Sequence, residues 1–266
     1  MNPVVETYSR VATAYDDPQN IASCWGRITR HSIGFVSLEE KHKTVVDVGC
    51  GTGRELAQLA SVNPADVQFI GVEPAHNMRE LAVARTAQYA NVRILDGCFE
   101  GLPLASQSVD YLYSILAFHW TTDLDTSVAE LARVMKPTGE MDLTFIGRHN
   151  GREFIRATTP IFFKYMTPAL MVEATSLRKQ MKLEEATVLF RTAFRSPGLS
   201  VEESYHTYYD TLEGHWGWWI RIEGQFLNIP AAAKGECDQA VRAAISRLAT
   251  DQGIPYTVHL LHVRLR

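Results

Sequence analysis

The chain has 266 residues and a formal net charge of −4 without a block of basic residues, so we expect no nucleic-acid partner. Its four cysteines form no Cys-x-x-Cys pair, so neither a disulfide framework nor structural zinc is expected, and no metal site is predicted. No cationic leader with an apolar core and no apolar run of about twenty residues occurs. These features predict a cytoplasmic protein without a membrane partner.

Residues 1–40 are predicted to be helical and precede the first strand. The segment from Tyr8 to Asp16 places an aromatic residue, Ala12 and a Tyr-Asp pair at regular intervals. From the residues alone, the segment is interpreted as an amphipathic helix on the edge of a sheet with half-buried tyrosines.

The stretch that follows organises the chain. A β-branched run, residues 44–48, predicts a buried parallel strand, and Gly49, Gly51 and Gly53 come directly after it. Glycine permits unusual φ and ψ angles and lets a ligand approach the bare backbone. The stretch therefore predicts a nucleotide-like cofactor at the first strand-to-helix turn. A dinucleotide fingerprint needs a further glycine at position 54 or 56, and a phosphate-binding loop needs Gly-Lys-Ser/Thr; the sequence has neither.

An acidic residue after the second predicted strand completes the pattern. This strand, residues 68–72, leads into Glu73, which lies 20 residues beyond Gly53. A carboxylate there can accept hydrogen bonds from both hydroxyls of a ribose. With Asp47 and the three glycines, the pattern resembles the class I S-adenosylmethionine (SAM) dependent methyltransferases, in the small-molecule branch of methyltransferase type 11 and the biotin-pathway carboxyl methyltransferase. The resemblance implies SAM as cofactor and S-adenosyl-L-homocysteine as product.

The resemblance also assigns cofactor contacts. The family tyrosine that matches Tyr15 lies near the methionine part of SAM, and the methionine that matches Met78 packs over adenine. The acidic residue that matches Asp96 accepts a hydrogen bond from the adenine amine; a turn cap is the alternative for Asp96. The predicted SAM-binding residues are Tyr15, Asp47, Gly49, Cys50, Gly51, Gly53, Glu73, Pro74, Met78, Asp96, Gly97, Cys98 and Leu116.

The end of the fourth predicted strand, residues 111–116, is the switch region where ligands collect in such sheets. Ala117-Phe118-His119-Trp120 follows it, without the Asn-Pro-Pro-Tyr motif of DNA and glutamine N-methyltransferases. The His-Trp form resembles small-molecule members. His119 is a candidate general base because the ordinary pKa of histidine lies near neutrality, and packing against the cofactor is the alternative.

Other catalytic candidates lie further along the chain. A turn at residues 136–139 is expected before strand five at 140–146. His149 and Asn150 follow that strand as candidates for proton transfer or substrate hydrogen bonding. Residues 152–195 are predicted to be helical, with breaks at Pro160 and Pro168. Trp216 is a candidate for a place beside the transferring carbon because aromatic faces attract cations, with core packing as the alternative. Tyr15 completes the catalytic candidates.

Alternating strands and helices, together with the resemblance, predict the fold class. We expect one SAM-binding α/β domain over residues 1–266 with a Rossmann-like, seven-stranded, mostly parallel sheet in the order 3-2-1-4-5-7-6, its last strand antiparallel. The resemblance implies that residues 1–40 form a helical lid, with an amphipathic helix on the sheet edge as the alternative. It also implies that residues 148–200 form a helical cover between strands five and six. The expected function is methylation of an oxygen, nitrogen or carbon atom of a small molecule, by a monomer or homodimer. Two alternatives remain: a lyase that cyclises SAM to azetidine-2-carboxylate and methylthioadenosine, and a SAM-binding module without catalysis.

Overall fold

The computed structural model describes residues 2–266, apart from the side chains of Arg221 and Glu223. Met1, the first residue of the predicted lid, lies outside the described residues. A seven-stranded sheet forms the centre in the order 3-2-1-4-5-7-6, with the seventh strand antiparallel to both neighbours. The strands are β1 (Thr44–Val48), β2 (Gln68–Val72), β3 (Val92–Leu95), β4 (Val109–Ile115), β5 (Met135–Ile146), β6 (Leu199–Asp210) and β7 (Ile254–Leu265). The predicted fold class and strand order are confirmed.

Helices precede the sheet, connect its parallel strands and fill the segment between β5 and β6. Each βαβ connection returns the chain to the same edge of the sheet, which is the usual construction of a parallel sheet. The helices are α1 (Pro3–Tyr15), α2 (Pro18–Ala22), α3 (Cys24–Ile33), α4 (Arg54–Val62), α5 (His76–Thr86), α6 (Leu124–Val134), α7 (Arg152–Tyr165), α8 (Pro168–Ser176), α9 (Leu183–Phe194), α10 (Leu212–Arg221) and α11 (Ala231–Ser246).

Both faces of the sheet are covered, because successive strand residues point to opposite faces. Val45 of β1 packs in a cluster with Leu56 of α4, whereas its neighbour Val46 packs in the cluster that contains Leu131 of α6. All four side chains are fully buried. Burial on both faces explains the uninterrupted β-branched run that predicted this strand.

The N-terminal helices lie against the part of the sheet where the glycine loop begins. Asn77, in the first turn of α5, donates its backbone N–H to Ser9 Oγ at 3.1 Å and its side-chain amide to the Ser9 carbonyl at 2.9 Å. These bonds fix α1 beside α5. The end of α1 thereby places Tyr15 and Asp16 over the loop that follows β1.

Two predicted boundaries are wrong. Pro160 lies inside α7 and does not break it, because the inner face of the helix is held by tertiary packing, with Phe154 and Thr158 buried. Such packing overrides the loss of one helical hydrogen bond. The turn predicted at 136–139 is part of β5, which begins at Met135; a shift of register between Val109 and Tyr111 on β4 absorbs the extra residues. Pro168 does separate α7 from α8.

Candidate cofactor and acceptor site

The three glycines after β1 have left-handed backbone angles, with φ of 77° at Gly49, 55° at Gly51 and 71° at Gly53. A Cβ atom on Gly49 would lie 2.4 Å from the Cβ of Ala117, so this position requires glycine for packing as well as for conformation. A Cβ on Gly51 would meet nothing within 4 Å. Gly51 therefore faces open space that a ligand can occupy.

Glu73 connects the end of β2 to this loop. Its Oε2 accepts the backbone N–H of Gly51 at 2.9 Å, and its Oε1 accepts the N–H of Ala75 at 2.8 Å. Burial raises the pKa of Glu73 to about 6, although both backbone hydrogen bonds act in the opposite direction. A carboxylate has about four acceptor positions, so a ligand with paired hydroxyls can still bind to it.

Three adjoining cavities surround the loop, and Tyr15 lines all of them. The front cavity, lined by Glu73, Met78 and Phe99 among others, encloses about 780 Å³ including its open mouth. The loop cavity, on the other side of Tyr15, is lined by Asp47 and the backbone of the glycine loop and encloses about 1130 Å³. The third, which we call the aromatic cavity, encloses about 530 Å³ beside His119.

The loop cavity combines charges of both signs. Its acidic lining residues are Asp16, Asp47 and Glu55, and its basic ones are Arg30 and Arg54. Burial raises the pKa of Asp47 well above its ordinary range and also raises the pKa of Glu55, with neighbouring carboxylates as a further cause for Asp47. Such a wall complements a group that carries both an ammonium and a carboxylate, as the amino-acid end of SAM does.

The front cavity suits the nucleoside end of SAM. Glu73 supplies the hydroxyl acceptor, Pro74 and Met78 supply apolar walls, and Cys98 lines the same space. Leu116, at the end of β4, has a φ of 56°, which is unusual for a branched residue, and it lines both the front and the aromatic cavities. Backbone strain of this kind clusters at ligand sites. The residues present therefore fit SAM across the front and loop cavities.

The structure does not bring the predicted adenine contact to the front cavity. The Asp96 side chain is 70 % exposed and forms an ion pair with Arg79 at 3.1 Å. Gly97 packs against Pro103, where an added Cβ would lie 2.6 Å from the Pro103 Cδ. Phe99 lines the front cavity in their place. Because the Asp96 carboxylate lies outside the front cavity, its position does not support contact with adenine there. The adenine-binding role of Asp96 therefore stays a prediction.

His119 lies in the aromatic cavity as a buried, neutral side chain. Burial, and secondarily the charge of Arg178, hold the pKa of His119 well below its ordinary value. The backbone N–H of Ile146 donates to His119 Nδ1 at 3.5 Å. A neutral imidazole that accepts at Nδ1 carries its proton on Nε2. His119 is therefore a hydrogen-bond donor through Nε2 in this arrangement, and its role as a general base stays a prediction.

Two other catalytic candidates lie away from the cavities. His149 is exposed and its ring stacks 5.5 Å from that of His259, whereas its neighbour Asn150 lines the aromatic cavity. Trp216 lies beside Arg242, whose guanidinium carbon is 5.8 Å from the indole ring. Trp218 lines the aromatic cavity instead. Residues two apart on a helix point in roughly opposite directions, so only one of these tryptophans can face the cavity.

Several lining residues were not predicted from the sequence. The aromatic cavity includes side chains from α3, from the segment between α8 and α9, from α10 and from the turn after it: Trp25, Arg178, Gln180, Trp218 and Phe226. No sequence motif marks these positions. The sequence predicted only a helical cover at residues 148–200 and a tryptophan of the cluster at residues 213–219 near the transferring carbon.

Within residues 2–266, as far as their side chains are described, no group of three or more His, Cys, Asp or Glu residues is arranged to hold a metal ion. In the same part of the chain, no helix has the length and apolar character needed to span a bilayer.

Comparison with known proteins identifies a family model and curated relatives. Residues 46–141 match the family described as a methyltransferase domain. Malonyl-[acyl-carrier protein] O-methyltransferase of Methylovorus sp. (strain MP688) is 29% identical over 176 residues, which cover 64% of this chain and 56% of that protein. The protein of the same name from Yersinia pestis is 34% identical over 138 residues, covering 51% and 47%. The chain thus spans about half the length of these relatives.

Solved structures share the whole fold at lower identity. Phosphoethanolamine N-methyltransferase 2 of Haemonchus contortus, solved in complex with SAM, superposes with a TM-score of 0.59 at 14% identity. The superposition covers 97% of this chain and 56% of that one. At this level of identity the likeness shows the fold alone.

Proposed function

Because this chain carries a class I SAM-dependent methyltransferase domain with SAM as its cofactor, we propose that it transfers a methyl group to a small molecule bound in the aromatic cavity. One observation carries the proposal. The front and loop cavities, which suit the two ends of SAM, meet the aromatic cavity at Tyr15. A cofactor that spans the first two would present its centre to a molecule in the third.

The glycine loop and Glu73 would hold the cofactor, with Met78 against its base and Asp47 and Glu55 near its ammonium. When bound, SAM supplies a methyl carbon on a positively charged sulfur; the acceptor forms a bond to that carbon as the carbon–sulfur bond breaks, leaving S-adenosyl-L-homocysteine.

The protein contributes alignment and the exclusion of water. Tyr8 and Tyr15 of α1 lie edge to face at 6.1 Å, and Tyr8 packs in the same way against Trp120 at 5.6 Å. All three rings line both the front and the aromatic cavities. They therefore form an aromatic collar around the expected position of the sulfonium, which aromatic faces attract.

The relatives reported above are all named as methyltransferases, and they give no support to the alternative of SAM cyclisation. A non-catalytic module is the remaining alternative, and turnover separates it from an enzyme. The predicted monomer or homodimer in the cytoplasm, without a nucleic-acid partner, stays a prediction from the sequence.

The experiment is a mass-spectrometric assay for S-adenosyl-L-homocysteine after incubation of the protein with SAM and a mixture of candidate small-molecule acceptors. We expect S-adenosyl-L-homocysteine to form over many turnovers, together with a product heavier by one methylene. Gly51→Val should abolish SAM binding because the side chain enters the ligand space at a positive φ. Gly101→Ala is the matched control, since a Cβ there also meets nothing within 4 Å and the backbone is not left-handed. Methylthioadenosine in place of S-adenosyl-L-homocysteine would refute the proposal.

A further inference from the structure

The walls of the aromatic cavity are built from ring pairs. Trp120 and Phe226 stack with centroids 4.8 Å apart and planes inclined by 23°. Trp25 and Trp218 form a second pair at 5.4 Å and 34°. All four rings line the cavity. This largely aromatic lining favours a ligand with a flat, conjugated body, which buries its apolar surface against the rings.

The charge on the wall is positive. Among the lining residues of the aromatic cavity that the structure describes, Arg178 is the one with a permanent charge, whereas the loop cavity next to it has three carboxylates. The guanidinium carbon of Arg178 lies 4.7 Å from the centroid of Trp120 and 6.0 Å from that of Phe226. Arg178 also has a partner within the protein. With five N–H donors in a fixed plane, a guanidinium that is already held in place can serve a ligand as well.

The other polar lining groups add two donors and one acceptor. His119 carries its proton on Nε2, since its Nδ1 accepts the N–H of Ile146. Trp25 Nε1 is a buried donor and Asn20 Oδ1 a buried acceptor, and both lack a hydrogen-bond partner within the part of the chain that the structure describes. Asn150 is occupied by the protein, since its amide donates to the Tyr256 hydroxyl at 3.1 Å and its Oδ1 accepts the N–H of His259 at 3.3 Å. With Arg178 counted among the donors, a ligand that accepts hydrogen bonds suits this wall better than one that donates them.

We propose that the methyl acceptor is a flat, conjugated small molecule with an anionic oxygen group, which Arg178 and His119 bind within the aromatic cavity. This inference rests on the proposed function and names the substrate class of the same site. Arg178 is the specificity-determining residue in this account. The anionic group of the acceptor lies beside Arg178, and the conjugated body lies against the aromatic lining of the cavity.

The test uses matched acids and amides, which differ in charge but hardly in shape. Benzoate, 4-hydroxybenzoate, 4-hydroxycinnamate and 2-naphthoate, each with its carboxamide, are titrated calorimetrically into the protein saturated with S-adenosyl-L-homocysteine. We expect at least one acid to bind ten-fold or more tightly than its amide. In Arg178→Gln this preference should fall to two-fold or less, and in Arg178→Lys, which keeps the charge, part of it should remain.

Arg191→Gln is the matched control, because Arg191 is an exposed residue of α9 outside the lining of the aromatic cavity. This variant should keep the preference of the unmodified protein. The inference is overturned if no acid in the panel binds more tightly than its amide, or if Arg178→Gln keeps the preference. SAM affinity, measured separately, distinguishes this failure from failure of the proposed function: if the unmodified protein binds SAM but shows no preference for any acid over its amide, only the substrate class is refuted.

Discussion

Asp16, which directly follows α1, joins the predicted lid to the cofactor loop. Its Oδ1 accepts the Thr52 hydroxyl at 2.9 Å and the Arg54 guanidinium at 3.3 Å, and its Oδ2 accepts Arg85 at 2.6 Å. Arg85 also donates to the Thr52 carbonyl at 2.6 Å. Because Tyr15 is the neighbour of Asp16 and lines all three cavities, we expect this network to hold the lid closed over bound SAM.

The magnitude follows from the bonds that are lost. A hydrogen bond to a charged group contributes roughly 1.5–3 kcal/mol. The side chains of Arg54 and Arg85 are 38% and 30% exposed, so solvent screens the network, and we take about 1–2 kcal/mol for all of it. About 1.4 kcal/mol corresponds to a factor of ten in affinity. Asp16→Asn should therefore weaken SAM binding by roughly five- to thirty-fold.

Calorimetric titration with SAM measures this loss, and stopped-flow dissociation shows whether release becomes faster. Asp17→Asn is the control, since it makes the same change of charge one residue away, where the carboxylate only caps α2 through the Gln19 N–H at 2.8 Å. If Asp16→Asn and Asp17→Asn bind SAM with equal affinity, the Asp16 network does not hold the lid closed. The same conclusion follows if Asp16→Asn loses affinity only through slower association, because an open lid should accelerate dissociation.

Burial raises the pKa of Glu73 from its ordinary 4.5 to about 6. Because the ribose hydroxyls of SAM need the ionised carboxylate, the affinity for SAM measured by calorimetry should fall roughly tenfold from pH 7.5 to pH 5. An equal affinity at both pH values would contradict this. In the protein without SAM, the effect of pH on folding stability has the opposite direction. The stability that protonated Glu73 contributes is present below pH 4.5 and is lost as the pH rises through 6. The melting temperature of Glu73→Gln should therefore not show this decrease. His119→Gln, which retains a donor, should keep much more turnover than His119→Ala, whereas a general base would lose both. Trp218→Ala should reduce turnover at least ten-fold and Trp216→Ala less than three-fold, in the assay for S-adenosyl-L-homocysteine; similar losses would contradict the placement of Trp218 in the cavity.

The cofactor side of the site was largely predictable because its demands are local. Each of its three features is determined by a few consecutive residues. These features are a β-branched strand buried on both faces, glycines where the backbone is left-handed, and a carboxylate after the next strand. In the structure, Gly51 and Glu73 are joined by a hydrogen bond of 2.9 Å. Parallel pairing of β1 with β2 brings their carboxyl ends together, so two local patterns suffice to place them.

The acceptor side was not predictable in the same way. Its walls come from Trp25, Trp120, Arg178, Trp218 and Phe226, which are spread over two hundred residues of chain. Whether each of them lines the cavity depends on the rotation of a helix or the path of a connecting segment, and neither is fixed by local sequence. Trp216, the predicted tryptophan, lies one helical face away from Trp218, which lines the cavity. Of the two candidates that follow β5, Asn150 lines the cavity and His149 is exposed.

Asp96 shows where a motif and a geometry diverge. The motif places an acidic residue after β3, and the chain has one there, but Arg79 of α5 draws its carboxylate outward at 3.1 Å. Arg79 also donates to the carbonyls of Glu73 and Pro74 at 3.0 and 3.1 Å, so its position is fixed by the turn after β2. Arg79→Ala frees the Asp96 carboxylate. If Asp96 binds adenine, this variant should bind SAM at least as tightly as the unmodified protein. If Arg79 instead supports the turn that holds Glu73, calorimetry should show weaker binding, and Asp96→Asn should then leave SAM affinity unchanged.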